Sequence, residues 1–246
     1  MFIADKNLGE TPLECLERAR CEKGIAADVP MTYAGRLDPL AEGKLLLLVG
    51  DECKEKEKYL GLDKEYEIEV LFGVKTDTGD MMGLITEVRP WTNTMSDLCT
   101  EVGHRAKFAQ EYPAFSSKTV STRSDLGKKR QLHELARTGE LPDEMPTKEV
   151  EIYSIDELGK SELSGRKLAE RAAEAISKVH GDFRQEKILE NWQTFATEHG
   201  GETFSFTKLR VYCSSGTYMR ALAERMGGMA ISINRTKIVK VTPRTK

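Results

Sequence analysis

The chain has 246 residues, 39% hydrophobic and 31% charged, a composition that suits a polar globular protein with a real core and excludes a low-complexity chain. A net charge of −3 gives no general attraction for nucleic acid, although uneven basic patches still bind phosphate. Five scattered cysteines with no C-x-x-C pair argue against a disulfide framework or structural zinc and for a reducing, cytoplasmic compartment, and the absence of an apolar signal core or ~20-residue apolar span argues against secretion and a membrane.

Phe2-Ile3-Ala4 is a short strand. Thr11, Pro12 and Glu14 form a capping box that opens a helix. Leu45 to Val49, ended by Gly50, predicts a strand buried on both faces, and Asp51 to Leu60 a charged helix. From Glu65 to Phe72 the pattern alternates. Tyr66, Ile68, Val70 and Phe72 share one face, and Glu65, Glu67 and Glu69 share a wet one. Lys75 to Gly83 is a polar turn. A helical piece lies around Leu132 and Leu135, and residues 149–155 form a strand. Leu168, Ala172, Ala175 and Ile176 make a helical stripe, and Ile188, Trp192 and Phe195 mark a second helix. Phe204 to Cys213 is a strand. Ser215 or Thr217 then caps a helix with Met219, Leu222 and Ala223 inward, and Ile231 to Val241 is the last strand. Strands and helices do not alternate regularly, which favours α+β over a doubly wound sheet.

Four remote segments carry the chemistry. The first is Gly35-Arg36-Leu37-Asp38-Pro39-Leu40. The second is Lys64-Glu65-Tyr66 with Thr76-Asp77-Thr78-Gly79-Asp80. The third is Tyr112-Pro113-Ala114-Phe115 with Leu132-His133-Glu134-Leu135. The fourth is Cys213-Ser214-Ser215-Gly216-Thr217-Tyr218-Met219-Arg220. In this order and spacing they resemble the TruB-type tRNA pseudouridine synthases, from about residue 2 to 242.

The resemblance implies a single catalytic domain over 1–246, with a mixed, mainly antiparallel sheet flanked by helices around an RNA-binding cleft. It implies isomerisation of uridine to pseudouridine in the T loop of tRNA, position 55 in tRNA numbering. Neither cofactor nor metal is expected, and the expected state is a monomer on the T arm. Asp38 matches the family's indispensable carboxylate, acting as nucleophile or base. Arg220 matches its Arg partner. An Arg beside a carboxylate favours the charged form, and a first-turn Arg opposes the helix dipole, so a specific partner is expected. Tyr66 matches the aromatic residue that stacks on the flipped base. Tyr218 and Ile233 match pocket-lining positions, and Lys6 and Lys64 match basic positions expected to meet RNA phosphate. Residues 113–148 correspond to a thumb-like RNA-binding segment, whose Lys118, Lys128, Lys129 and Arg130 are further phosphate contacts.

The sequence departs from the family pattern in several places. Tyr33 stands where bacterial members commonly carry a His that helps displace the base, and it is expected among the residues that support the site and bind the base, while Arg36 replaces a small residue. Residues 156–203 form a helical insertion, and no additional C-terminal RNA-binding domain is expected after Val241.

Taken alone, several of these features are ordinary. Asp38-Pro39 is a common turn pair, Tyr66 is one rung of a strand, and Lys128-Lys129-Arg130 is a solvated run. Asp77-Thr78-Gly79 lacks the second copy an aspartic protease needs and is taken as a structural turn, while the four histidines lack metal spacing. Two other functions compete with tRNA modification. Gly35 to Asp38 followed by a Leu run is also similar to the branch that acts on ribosomal RNA. A non-catalytic RNA-binding or tRNA-folding module is the third, opposed by intact Asp38, Tyr66 and Arg220.

Overall fold

The computed structural model describes residues 1–89, 106–121 and 129–239. Lys128 of the Lys128-Lys129-Arg130 run, and the chain from Lys240 onward, lie outside the described residues.

Strand β1 (Phe2–Lys6) leads to helix α1 (Pro12–Glu22). The capping box forms: Thr11 Oγ1 accepts the Glu14 amide at 3.2 Å, and Glu14 Oε2 accepts the Thr11 amide at 2.6 Å. This satisfies two amides that the first turn leaves unbonded. β2 (Met31–Ala34) and β3 (Ala41–Val49) follow. β3 is buried on both faces. Leu45 and Leu47 pack with Cys15, Leu16 and Ala19 of α1, while Leu46 and Leu48 join Tyr59 and Leu60. The next segment is not one helix. A 3-10 turn covers Gly50–Glu55 and buries no side chain, and only α2 (Lys56–Leu60) is α-helical. With four charged residues and only Cys53 packed against the core, this short stretch has little to hold an α-helix.

β4 (Asp63–Phe72) is followed by a small hairpin, β5 (Val74–Thr76) and β6 (Ile85–Val88). Then come β7 (Ala106–Glu111), β8 (Thr119–Ser121), β9 (Lys129–Gln131), α3 (Leu132–Thr138) and β10 (Thr147–Ser164). The chain ends with α4 (Gly165–Ser177), α5 (Gln185–His199), β11 (Thr203–Cys213), α6 (Met219–Arg225) and β12 (Gly228–Val239). The main sheet runs β1-β3-β12-β4-β11-β10-β7, with β2 beside β3. β3 and β12 are parallel, and the other pairs in this sheet are antiparallel. The fold is therefore α+β with a mixed, mainly antiparallel sheet, as expected.

The alternation of β4 sets the two layers. Tyr66, Ile68, Val70 and Phe72 share a cluster with Met219, Leu222 and Ala223 of α6. The opposite face is only partly wet. Glu65 and Glu67 pair with Lys237 and Arg210, each at 3.0 Å. Farther along, Glu69 pairs with Arg171, and Leu71 is buried with Leu168, Trp192 and Phe195 of α4 and α5. The alternation is right, but a helical hairpin covers part of the face that polar residues had suggested was open.

That hairpin grows from the end of a β-hairpin. β10 continues to Ser164, opposite Thr203 of β11, so the first part of the 156–203 segment is strand and the helices begin at Gly165. Among the described residues no helix is long and apolar enough to cross a membrane.

Candidate active site

The loop that carries Asp38 is held by its backbone. Gly35 has φ +82°, and Gly43 has φ +99°, values that favour glycine. A Cβ at Gly43 would also meet the Arg235 carbonyl of the neighbouring parallel strand at 2.4 Å. Two buried cations tie the loop. Lys6 Nζ donates to the carbonyls of Ala41, Pro39 and Asn7 at 2.5, 3.2 and 3.1 Å. Arg235 donates to the carbonyls of Lys44, Gly35 and Arg36 at 2.6, 3.1 and 3.2 Å. A third, Lys64, lies against Gly35 and donates to the Leu60 and Leu62 carbonyls.

These positions correct the sequence reading. Lys6 and Lys64 are 1% and 4% exposed, and burial lowers each pKa to about 8. Both ammonium groups are turned to main-chain carbonyls and away from solvent. Arg235 is 1% exposed and belongs to the same scaffold.

Asp38 stands at the end of this loop, its side chain 36% exposed beside a cavity. Arg220, in the first turn of α6 and buried, donates from Nε to Asp38 Oδ2 at 2.8 Å. Its other nitrogens donate to Thr78 O at 2.7 Å and Phe115 O at 3.2 Å. The expected partner of the first-turn arginine is thus Asp38. No side chain caps α6, contrary to expectation. Thr217 Oγ1 donates to Ser214 O, and Ser215 Oγ donates to Leu60 O.

Sequence reasoning missed Asp80, which it left in a structural turn. Its Oδ2 lies 3.5 Å from Arg220 Nε. Its Oδ1 accepts from Thr78 Oγ1 at 2.7 Å and from the Met82 amide at 2.9 Å. Burial raises its pKa against the pull of Arg220. For Arg220, burial acts to lower the pKa, but Asp38 and Asp80 outweigh it and raise the value. One guanidinium thus bridges two carboxylates, one buried and one open to the cavity.

The remaining predicted residues fall at different depths. Tyr66 is buried on β4 in one cluster with Leu37 and Ile233, and none of Tyr66, Ile233 and Tyr218 is among the residues that line the cavity. Its pKa is raised, first by burial and with a contribution from Asp38. Ile233 pairs in register with Ala41, just past Asp38. Tyr218 is the residue before α6, its backbone bonded both ways by the buried Gln110. Its ring meets Tyr112 edge-on at 5.6 Å, and burial, then Asp38, pushes its pKa to about 12.

Tyr33 does not line the cavity. Strand alternation turns it to the α1 side, partly buried, with Lys56 Nζ 5.3 Å from its ring centre. In the thumb-like segment, Lys118 Nζ lies 4.9 Å from the Tyr112 ring centre, beside the Tyr112–Tyr218 pair. Lys129 is exposed on β9, and Arg130 pairs with Glu140 at 2.7 Å. Beyond Asp38, Asp80 and Arg220, the cavity is walled by Phe115, Phe183 and Arg184 among others. Among the described residues no group of three His, Cys, Asp or Glu side chains gathers to hold a metal ion. An oriented carboxylate held by a buried guanidinium at the edge of a cavity suits nucleophilic or base chemistry.

Comparison with known proteins agrees with this geometry. The family model described as TruB family pseudouridylate synthase, N terminal domain, matches residues 26–164. The tRNA pseudouridine synthase B of Trichormus variabilis is 30% identical over 227 residues, which are 92% of this chain and 60% of that one. The protein of the same name from Cupriavidus pinatubonensis is 30% identical over 92% of this chain and 56% of its own. That from Aquifex aeolicus is 32% identical over 63% of this chain and 50% of its own. This chain therefore spans less than two thirds of the length of these relatives. With more than half of its residues matched by one family model and its Asp and Arg motifs brought together in one cavity, the chain belongs to the TruB family of pseudouridylate synthases.

Proposed function

We propose that the chain is a cofactor-free RNA pseudouridine synthase that isomerises uridine to pseudouridine at position 55 in the T loop of tRNA. The observation that carries this reading is the 2.8 Å contact between Arg220 Nε and Asp38 Oδ2 at the cavity edge. In the reaction the bond from ribose C1′ to uracil N1 breaks, the base turns, and C1′ bonds to C5. The proton on C5 is lost and N1 gains one, so no oxidant or co-reactant is needed. Asp38 acts as nucleophile or base, with Arg220 fixing one carboxylate oxygen and leaving the group directed at the cavity. Tyr66 and Ile233 hold the extruded base, which supports the cost of unstacking, a few kcal/mol. Their place in one cluster with Leu37 beside Asp38 supports that role.

Tyr218, Tyr112 and Lys118 form an aromatic and basic ledge next to the cavity, suited to stacking and phosphate contact. Lys129 and Arg130 extend it along the thumb-like segment. The relatives' name supports tRNA as substrate, and the Thr-Asp-Thr-Gly-Asp and Cys-Ser-Ser-Gly-Thr-Tyr segments favour it over ribosomal RNA. We take the enzyme to act as a cytoplasmic monomer.

The test is to incubate the protein with unmodified tRNA and with ribosomal RNA and to map pseudouridine, beside Asp38→Asn. Product at the T-loop uridine with the native chain and none with Asp38→Asn is expected. No product on either RNA sinks the enzymatic reading, and product on ribosomal RNA alone moves the substrate to the other branch. Equal product from Asp38→Asn removes Asp38 from the chemistry.

A further inference from the structure

The turn between α4 and α5 reaches the cavity, and no family motif covers it. Arg184, the residue before α5, has φ +65° and ψ +25°. Among the described residues it is the only non-glycine with positive φ, a conformation uncommon for a residue with a Cβ. This backbone directs its side chain onto two other segments. Its Nη1 and Nη2 donate to the Asp77 carboxylate at 2.8 and 3.3 Å, a two-point contact. Its guanidinium carbon lies 4.2 Å from the centre of the Phe115 ring.

Arg220 holds the same two segments by their backbones, at Thr78 O and Phe115 O. Two guanidinium groups therefore bracket one junction: the 77–80 turn and the start of the thumb-like segment. A second tie runs from Arg137 of α3 to Asp182, through the carboxylate at 3.3 Å and the backbone carbonyl. The turn is itself braced, with Gln185 Nε2 donating to the carbonyls of Gly181 at 2.7 Å and Val179 at 3.2 Å. Planar, two-point arginine contacts fix direction as well as distance, which a lysine does not reproduce.

We infer that Arg184 is a positioning residue. It locks Phe115 to Asp77 so that the two carbonyls gripping Arg220, and through them Asp38, stay in place. The α4–α5 segment is then a working part of the cavity wall. This rests on the proposed role of Asp38, since a catalytic effect requires that role.

Arg184→Gly tests it without native-state backbone strain, because glycine adopts this φ freely. Expected is a fall in kcat of about 10- to 100-fold, the scale for small misplacement of reacting groups. KM for tRNA stays within about twofold, and amide exchange at residues 114–117 accelerates. Arg184→Lys, which keeps a charge on Asp77 but not the planar stack, falls between. Phe115→Leu gives a second route to the same lock, and combining it with Arg184→Gly adds little further loss.

Unchanged kcat and unchanged exchange in Arg184→Gly overturn the inference, as does full additivity of the two variants. A raised KM with native kcat overturns it too, by making Arg184 an RNA contact. If the native chain is inactive on RNA, the functional reading has failed. The exchange measurement then still decides: native exchange overturns the lock, and faster exchange upholds it.

Discussion

Lys6, Lys64 and Arg235 show how a side chain's partner, not its charge, decides its work. Each is a cation near the motif loop, and sequence alone cannot separate a cation on a phosphate from one on a carbonyl. Burial separates them. Lys6→Met removes the donor to three carbonyls and should lower stability by about 1–3 kcal/mol, read from urea unfolding. RNA affinity and its salt dependence should not change, whereas loss of a phosphate contact would reduce the log–log salt slope by roughly one. Asp38 and Arg220 were legible because their motifs are ordered and the helix position of Arg220 called for a partner. Asp80 was not, because a carboxylate in a Thr-, Asp- and Gly-rich stretch has the same appearance whether it caps a turn or faces a buried arginine. Tyr33 was misplaced for a different reason: whether a strand residue points to the cavity depends on which neighbours the strand finds.

At the level of elements, periodicity was informative and attachment was not. The stripes of Leu168, Ala172 and Ile176, and of Ile188, Trp192 and Phe195, identify two helices, and both stripes are buried. Nothing in them reveals that they cover Leu71, Val74, Met81 and Met82. Trp192 is the main link. It is 1% exposed, and its Nε1 donates to Met81 O at 3.2 Å. Trp192→Ala should cost about 3–5 kcal/mol, the usual range for a large buried aromatic, measured by thermal or urea unfolding. A loss under about 1 kcal/mol would mean that the hairpin is an appendage, not part of the core. The 3-10 turn at Gly50–Glu55 marks the opposite case, where charged composition suggested a helix and no packing surface enforced one.

The molecule as a whole carries a pH dependence set by its buried groups. Lys6 and Lys64 have pKa values of about 8, below the ordinary 10.5, because burial penalises their charge. Between these values the unfolded chain binds more protons, so stability rises with pH. Burial acts oppositely on acids that are neutral when protonated: Cys213 and Tyr218 move to about 12 from 9.0 and 10.0. From pH 9 the unfolded chain loses the Cys213 proton first, which slows the rise, and above about pH 10, once Tyr218 follows, stability falls. The expected profile gains on the order of 3 kcal/mol from pH 7 to a maximum at about pH 10. A series of urea unfolding curves checks it, and a monotonic decline from pH 7 contradicts the assigned burial of the two lysines. The strand order that creates this interior was the least legible feature, because the parallel pairing of β3 with β12 joins segments almost two hundred residues apart and depends on register, not local pattern.

The loop around Asp38 has a design consequence of its own. Lys6 and Arg235 grip it through main-chain oxygens, so its shape is insulated from the identity of its own side chains. Arg36 projects outward from this frame, one residue before Leu37 and two before Asp38. The position works like an interchangeable fitting on a fixed mount: the charge felt by Tyr218 can be retuned there while the carboxylate keeps its aim.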